Sequence, residues 1–272
     1  MRDALAAATD AIGAAGSDSA RLDAELLLAE ATGWDRARLV AEPEAALPSG
    51  AAREFAALIR RRVRREPVAY ILGRRGFRGI ELEVDPRALI PRPETELLVD
   101  VAIELEPRTV LDVGTGSGAV ALAVADELPE AQVTATDTSP EALDLARANA
   151  GRLGLAERVR FEEGSIPAGA FDLLLANLPY VSESEWEGLE PEIREFEPRR
   201  ALVAGPTGLE VIESLLASFG DGGARPAAIA LEIGAEQADR VDQLVRGLGY
   251  EIVERRPDLA GIERMVLGRD AG

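Results

Sequence analysis

The 272-residue chain contains no cysteine, no histidine and no lysine; all 30 of its basic side chains are arginine. These absences exclude a Cys or His nucleophile, a Ser-His triad, a lysine Schiff base and the lysine of a phosphate-binding P-loop. Without thiolate or imidazole ligands a zinc site is disfavoured, and no metal is expected. Chemistry must therefore run on amides, hydroxyls, carboxylates, arginine and backbone. Positive charge is also scarce: the formal net charge is -19. That argues against a protein whose affinity comes from neutralising phosphates, so no nucleic-acid partner is expected. No apolar run approaches the ~20 residues of a membrane span. The alanine-rich start is broken by Asp3 and Asp10 and lacks a signal-peptide pattern, so a cytoplasmic protein is expected.

What is present falls into two patterns. From about residue 94 onward, apolar strand-like runs alternate with helical ones: "TVLDVG" with "SGAVALAVADEL", then "QVTATD" with "SPEALDLARANAGRLG", and onward to "YEIVERRP" and "ERMVLGR". Such alternation predicts an α/β domain with a mostly parallel sheet and helices on both faces. Ser139 and Pro140 read as the N-cap and first residue of a helix. The first ~75 residues lack strand signals. "AAREFAALIRRRVRRE" carries Phe55, Leu58, Ile59 and Val63 on one face, and the segment predicts a small helical domain. Between them, "FRGIELEVDPRALIPRP" suits a hairpin-like linker. The expected division is 1–75, 76–93 and 94–272. Residues 53–92 hold eleven arginines against five acidic residues. They form either a solvated helix face or a docking surface for an acidic or RNA-associated partner.

"LDVGTGSGA" follows the first strand of the sheet and opens a helix. Gly114, Gly116 and Gly118 allow a sharp turn and close approach to a ligand, and the helix that follows offers free N–H groups. Asp137 ends the next strand, where a carboxylate can accept both hydroxyls of a ribose. A nucleoside-containing cofactor is the natural occupant. Gly114, Gly116 and Ala119 also satisfy the dinucleotide fingerprint, so the loop alone leaves a nicotinamide enzyme open. Context weighs against it, because the fourth strand, "FDLLLANL", runs into Asn177, Leu178, Pro179 and Tyr180 instead of a second mononucleotide half. If that strand lies beside the first, the tetrapeptide faces the glycine loop across one crevice. An Asn oxygen and a backbone carbonyl can accept both hydrogens of an –NH2 group, and an aromatic ring can cover a flat substrate.

The run "PVAYILGRRGFRGIELEVDPRALIPRPETE" (67–96) closely resembles the signature that precedes the catalytic domain of bacterial release factor glutamine N5-methyltransferases. "VLDVGTGSGAVAL", "DTSPEALDLARANA", "EPRRALVAGPTGLE" and "DLAGIERMV" are similar to that family's later blocks, in the same order. The resemblance implies a class I methyltransferase domain, Rossmann-like with a seven-stranded sheet, behind a helical domain and a β-hairpin linker. It implies S-adenosyl-L-methionine as methyl donor. The implied acceptor is the glutamine of the Gly-Gly-Gln loop in class 1 peptide chain release factors, whose methylation modulates translation termination. By position, Gly114, Thr115, Gly116, Ser117, Gly118 and Asp137 would hold the cofactor, with Ser165 or Ile166 near the adenine and Asn177 beside it. Asn177, Leu178, Pro179 and Tyr180 would hold the substrate, with Asn177 and Tyr180 catalytic. The helical domain would dock the release factor, and the enzyme is expected to be a monomer.

One departure opens an alternative. Leu178 stands where the family usually has proline, and Asn-Leu-Pro-Tyr is the form found in ribosomal RNA adenine N6-dimethyltransferases. The acidic charge and the helical domain placed first count against RNA as substrate. A pseudoenzyme that binds cofactor without transfer is disfavoured by the intact Asp137, Asn177 and Tyr180.

Overall fold

The computed structural model describes residues 1–219 and 225–271; positions 220–224 and 272, within the expected 94–272 domain, lie outside the described residues. In chain order the helical part comprises α1 (Arg2–Ala14), α2 (Ala20–Thr32), α3 (Arg36–Ala41), α4 (Ala51–Val63) and α5 (Val68–Leu72). A hairpin, β1 (Arg74–Phe77) and β2 (Ile80–Glu83), leads through a 3-10 turn at Pro93–Thr95 into α6 (Glu96–Leu105). Then follow β3 (Thr109–Val113), α7 (Ala119–Glu127), β4 (Gln132–Asp137), α8 (Pro140–Leu153), β5 (Val159–Glu163), β6 (Leu173–Ala176) and β7 (Val181–Ser182). Two short helices, α9 (Glu183–Trp186) and α10 (Pro191–Phe196), precede β8 (Val203–Gly205). The chain ends with α11 (Glu210–Ala217), β9 (Ala228–Glu232), α12 (Ala238–Gly247), β10 (Ile252–Pro257) and β11 (Glu263–Arg269). Among the described residues no helix is long and apolar enough to cross a membrane.

The chain forms two compact units: Met1–Arg74 together with Glu190–Phe196, and Arg75–Leu189 together with the chain from Glu197 onward. The hairpin residues after Arg74 thus belong to the second unit, and a seven-residue strap from far down the chain belongs to the first.

In the helical unit, α1, α2 and α4 bury Leu5, Ile12, Leu27, Leu28 and Phe55, joined by Leu39 of α3 and Ile71 of α5. Leu58 and Ile59 pack against that cluster. Val63 does not: it is exposed, and the buried position is Arg62, at 4%. At 3.6 residues per turn both positions fall near the Phe55–Ile59 stripe, and polar partners decide between them. Arg62 Nε donates to Asp23 Oδ2 at 2.7 Å, and Nη2 donates to Ser17 Oγ at 2.8 Å and Glu192 Oε1 at 2.7 Å. Arg65 Nη2 donates to Glu190 Oε2 at 2.7 Å and to Glu192 Oε2 at 2.5 Å. Two guanidiniums therefore share the Glu192 carboxylate and fasten the strap. Burial opposes ionisation of Glu192, but the hydrogen bonds from Arg65 and Arg62 outweigh it and hold its pKa below the usual range. Arg61 pairs with Glu66 at 2.6 Å and Arg74 with Glu30. Much of the basic stretch is thus consumed inside the unit, while Arg53, Arg60 and Arg64 remain exposed.

The second unit is built on a seven-stranded sheet in the order β10-β11-β9-β6-β3-β4-β5. Strands β9, β6, β3, β4 and β5 pair in parallel, and β11 runs antiparallel to both β9 and β10. All residues of β6 and β9 are buried, as a strand covered on both faces requires. Helix α8 starts as its sequence predicts, with Ser139 Oγ accepting from Ala142 N at 3.2 Å and Pro140 in the first turn, and it ends at Gly154 in the left-handed region. Strand order reverses at β3. There β3 pairs with β6 in the register Val113↔Ala176, so the glycine loop and Asn177 leave the same edge of the sheet side by side.

Candidate active site

The loop after β3 is held open by its glycines. Gly114, Gly116 and Gly118 all have positive φ, at 75°, 57° and 87°. Gly114 N and Thr115 N donate to Thr136 O at 2.8 and 2.9 Å, which ties the loop to β4. From inside, Asp112 Oδ2 accepts from Thr115 Oγ1 at 2.6 Å and from Ala121 N at 3.1 Å, lashing the loop to the first turn of α7. Asp112 is buried, which pushes its pKa up to about 7; those two hydrogen bonds oppose the rise and the charge of Asp137 adds to it.

Asp137, at the end of β4, accepts from Gly116 N and Ser139 N, each at 2.9 Å. Each oxygen keeps a lone pair, so the carboxylate can still take two hydroxyls. Thr136 Oγ1 donates to Ser165 O at 2.7 Å, which fixes the loop after β5 nearby.

Across the crevice, the tetrapeptide begins where Pro179 prevents β6 from continuing. A Cβ on Gly114 would lie 2.9 Å from Leu178 Cδ2, so the two loops touch at a point only glycine allows. Leu178 is 7% exposed and joins the core. Asn177 Nδ2 donates to Thr95 Oγ1 at 2.9 Å. Tyr180 O accepts from Gln237 Nε2 at 2.9 Å, and Tyr180 OH donates to Glu232 Oε1 at 3.4 Å. Burial, followed by the charge of Glu232, pushes the Tyr180 phenol well above its usual range.

These elements enclose a cavity of about 770 Å³. Of the residues singled out from the sequence, Gly114, Thr115, Gly116, Ser117, Asp137, Ser165, Ile166, Asn177, Leu178 and Pro179 line it. Gly118 does not; it packs against Leu122 and Ala146 at the start of α7. The Tyr180 ring also lies outside the wall, beside Gly234 and Glu232. Sequence reasoning missed the contribution of Ala88–Arg92 and Thr95, and of Arg200, Glu210 and Ser214. The signal was available in "LIPRPETE", and the structure gives its anchor: the buried Glu197 carboxylate accepts from Ile90 N at 3.0 Å and Arg92 Nη2 at 2.5 Å. A loop opened by glycines at 114 and 116, two carboxylate oxygens at one end and an amide at the other suit a nucleoside-bearing donor beside a small polar acceptor.

Comparison with known proteins agrees. Residues 3–73 match the PrmC N-terminal domain model and residues 110–196 a methyltransferase domain model. The "Release factor glutamine methyltransferase" of Koribacter versatilis is 39% identical over 99% of this chain and 98% of its own length. Proteins of the same name from Deinococcus radiodurans (100% of this chain, 99% of that one) and Moorella thermoacetica (98% and 97%) are each 41% identical. Among solved structures, human methyltransferase 10 domain containing protein matches with a TM-score of 0.53 at 13% identity, covering 71% of this chain and 90% of that one. The N-terminal domain of human METTL16 in complex with SAH matches at 0.51 and 13%, covering 71% and 77%. These structural likenesses establish the class I methyltransferase fold of the second unit, and the full-length relatives establish the family. The chain belongs to the release factor glutamine methyltransferases.

Proposed function

We propose that this protein transfers a methyl group from S-adenosyl-L-methionine to the side-chain amide nitrogen of the glutamine in the Gly-Gly-Gln loop of class 1 peptide chain release factors, and so modulates translation termination. The observation that carries this reading is the adjacency of β3 and β6. It sets a cofactor-type loop and an amide-bearing tetrapeptide against the same cavity.

When bound, S-adenosyl-L-methionine supplies an electrophilic methyl on a sulfonium. Asp137 would hold its ribose hydroxyls, Gly114–Ser117 would bound its amino-acid end, and Ser165 and Ile166 would flank its base. The acceptor is the harder partner, since an amide nitrogen shares its lone pair with its carbonyl. Asn177 Oδ1 and the Leu178 carbonyl would accept the two hydrogens of that –NH2, fixing its approach and favouring tetrahedral geometry. Orientation of this kind contributes up to ~7–11 kcal/mol in good cases. No strong base is needed, because the nitrogen becomes acidic once methylated. A chain without His, Cys or Lys can therefore perform the step. Tyr180, behind the wall, would support the tetrapeptide through its phenol and backbone instead of covering the substrate. The helical unit is the proposed docking module for the release factor.

The test is incubation of the purified chain with methyl-labelled cofactor and, in separate reactions, a purified class 1 release factor and ribosomal RNA. Peptide mapping should place the label on the Gly-Gly-Gln glutamine. Label on RNA adenine, with none on the release factor, would replace glutamine by adenine as acceptor.

A further inference from the structure

The tetrapeptide is tied at both ends. Asn177 Nδ2 donates to Thr95 Oγ1 at 2.9 Å where the chain leaves β6, and the Tyr180 carbonyl accepts a hydrogen bond just before β7. The donor at that exit is Gln237, from the turn between β9 and α12. Its amide makes three contacts. Nε2 donates to Tyr180 O at 2.9 Å and to Gly208 O at 3.2 Å, and Oε1 accepts from Gly234 N at 2.9 Å. The amide therefore has one permitted orientation: reversed, it would set its oxygen against two carbonyl oxygens and its hydrogens against an N–H. Glu236, directly before it, has φ of 70°, an unusual conformation for a residue with a side chain. Two glycines clear the space. A Cβ on Gly208 would lie 2.5 Å from Tyr180 O, and one on Gly234 would lie 3.1 Å from Gln237 Oε1 and 3.2 Å from Tyr180 Cδ2. Loops after β6, β8 and β9 are thus gathered on one side chain. Gln237 does not line the cavity, so it has no direct route to substrate.

We propose that Gln237 is a positioning residue for methyl transfer: it fixes the exit of the tetrapeptide and, with it, the aim of the Leu178 carbonyl at the acceptor. The proposal rests on the reading of Asn177 and Leu178 as the pair that receives the –NH2 hydrogens. Asn177 is aimed by its own side chain, through Thr95. Leu178 offers only a main-chain carbonyl, whose direction is set by the backbone on either side. Upstream, Ala176 is in register with Val113 of β3. Downstream, Pro179 has no N–H to anchor, and the next polar tie is at Tyr180. The phenol of Tyr180 reaches Glu232 over 3.4 Å, whereas its carbonyl meets Gln237 at 2.9 Å, the stronger of the two bonds. Loss of that bond frees the exit to shift, and the Leu178 carbonyl turns away from the –NH2. A carboxylate at 237 separates this role from a local one. It would still accept from Gly234 N and keep the turn into α12, but when ionised it has no hydrogen for either carbonyl.

The experiment measures the single-turnover rate of methyl transfer to intact release factor, with cofactor and release factor both saturating. The variants are Gln237→Glu, Gln237→Met, Asn177→Ala and the double variant Gln237→Glu/Asn177→Ala, beside the wild type. Calorimetric cofactor affinity reports folding. Gln237→Glu should slow transfer by up to about 10²-fold, the scale of a misplaced reacting group. Its cofactor affinity and half-saturating release factor concentration should stay near the wild-type values. Gln237→Met, of similar length and with no N–H to donate, should be slowed as well. Because both acceptors act on one –NH2, Gln237→Glu should cost less once Asn177 is alanine than in the wild type. Wild-type transfer by Gln237→Glu beside an impaired Asn177→Ala overturns the positioning role and leaves that of Asn177 standing; so does an equal cost in both backgrounds. Asn177→Ala at the wild-type rate overturns both. Should Gln237→Glu fail to fold, a wild-type rate in Gln237→Met overturns the proposal.

Discussion

In the helical unit, Glu192 lies between the guanidiniums of Arg62 and Arg65, and its pKa is held below the usual range. At the carboxyl edge of the sheet, Glu232 is buried with the Tyr180 hydroxyl on one oxygen, and burial pushes its pKa up to about 7. Both are carboxyl groups withdrawn from water. The difference is what surrounds them: two fixed cations make Glu192 a permanent anion that fastens a strap of chain, whereas burial with no salt-bridged cation among the described residues leaves Glu232 able to gain or lose a proton near neutral pH. Many of this chain's arginines are spent on holding structure, while the acceptor side of the crevice is led by the uncharged amide of Asn177.

The comparison breaks most visibly at Arg62. Arg62→Ala would leave Asp23 buried without its guanidinium and Glu192 with only Arg65. Removing one partner of a buried ion pair costs about 3–5 kcal/mol, and urea unfolding of the full chain should show a loss of that size. A loss under about 1 kcal/mol would mean that the pair behaves like a surface contact.

Stability against pH sharpens it next. The folded pKa of Glu232 is raised, so the proton is bound more tightly in the native state than in the unfolded chain. The stability it contributes is fully present below about pH 4.5 and is lost as pH rises to about 7. Asp112 acts in the same sense. Glu192, with a lowered pKa, works the other way: its contribution is present above about pH 4.5 and is lost as pH falls through its folded value. Each raised group can cost up to about 1.4 kcal/mol per pH unit within its window. Urea titrations at pH 5 and pH 7 should therefore show a smaller drop in Glu232→Gln than in the wild type. An equal drop would mean that Glu232 does not titrate there.

The smallest effect is expected at Leu178. Its proposed contribution is a backbone carbonyl, which proline also has, and proline at 178 would restrict Asn177 to extended conformations. The side chain packs on Gly114, so Leu178→Pro gives up some contact. Methylation should stay within about tenfold, ~1.4 kcal/mol or less. A larger loss would show that the leucine side chain shapes the crevice.

Legibility followed the range of the interactions. The glycine loop, Asp137 and the tetrapeptide were readable because each ends a strand-like run, and strand adjacency at the switch point then brings them together. Val63 was expected on the apolar face with Phe55, and the buried position is instead Arg62. Spacing could not separate them, and the partner that decides, Asp23, comes from another helix. The strap at 190–196 was invisible for the same reason, since "PEIREF" is short and polar and its place depends on arginines some 125–130 residues earlier. Thr95 sat within a motif that was noticed, but its partner, Asn177, comes 82 residues later.

If the loops after β3 and β4 hold the donor and the loop after β6 holds the acceptor, the two halves must fail separately. The most direct measurement is cofactor affinity by calorimetry together with single-turnover methylation of intact release factor, for Asp137→Ala and Asn177→Ala side by side. Asp137→Ala should raise the cofactor Kd by one to two orders of magnitude, the ~1.5–3 kcal/mol of a charged hydrogen bond, and react at a near-normal rate once saturated. Asn177→Ala should keep its cofactor affinity and slow methyl transfer by about 10²–10³. Wild-type transfer by Asn177→Ala, or loss of the same property in both variants, would contradict that division.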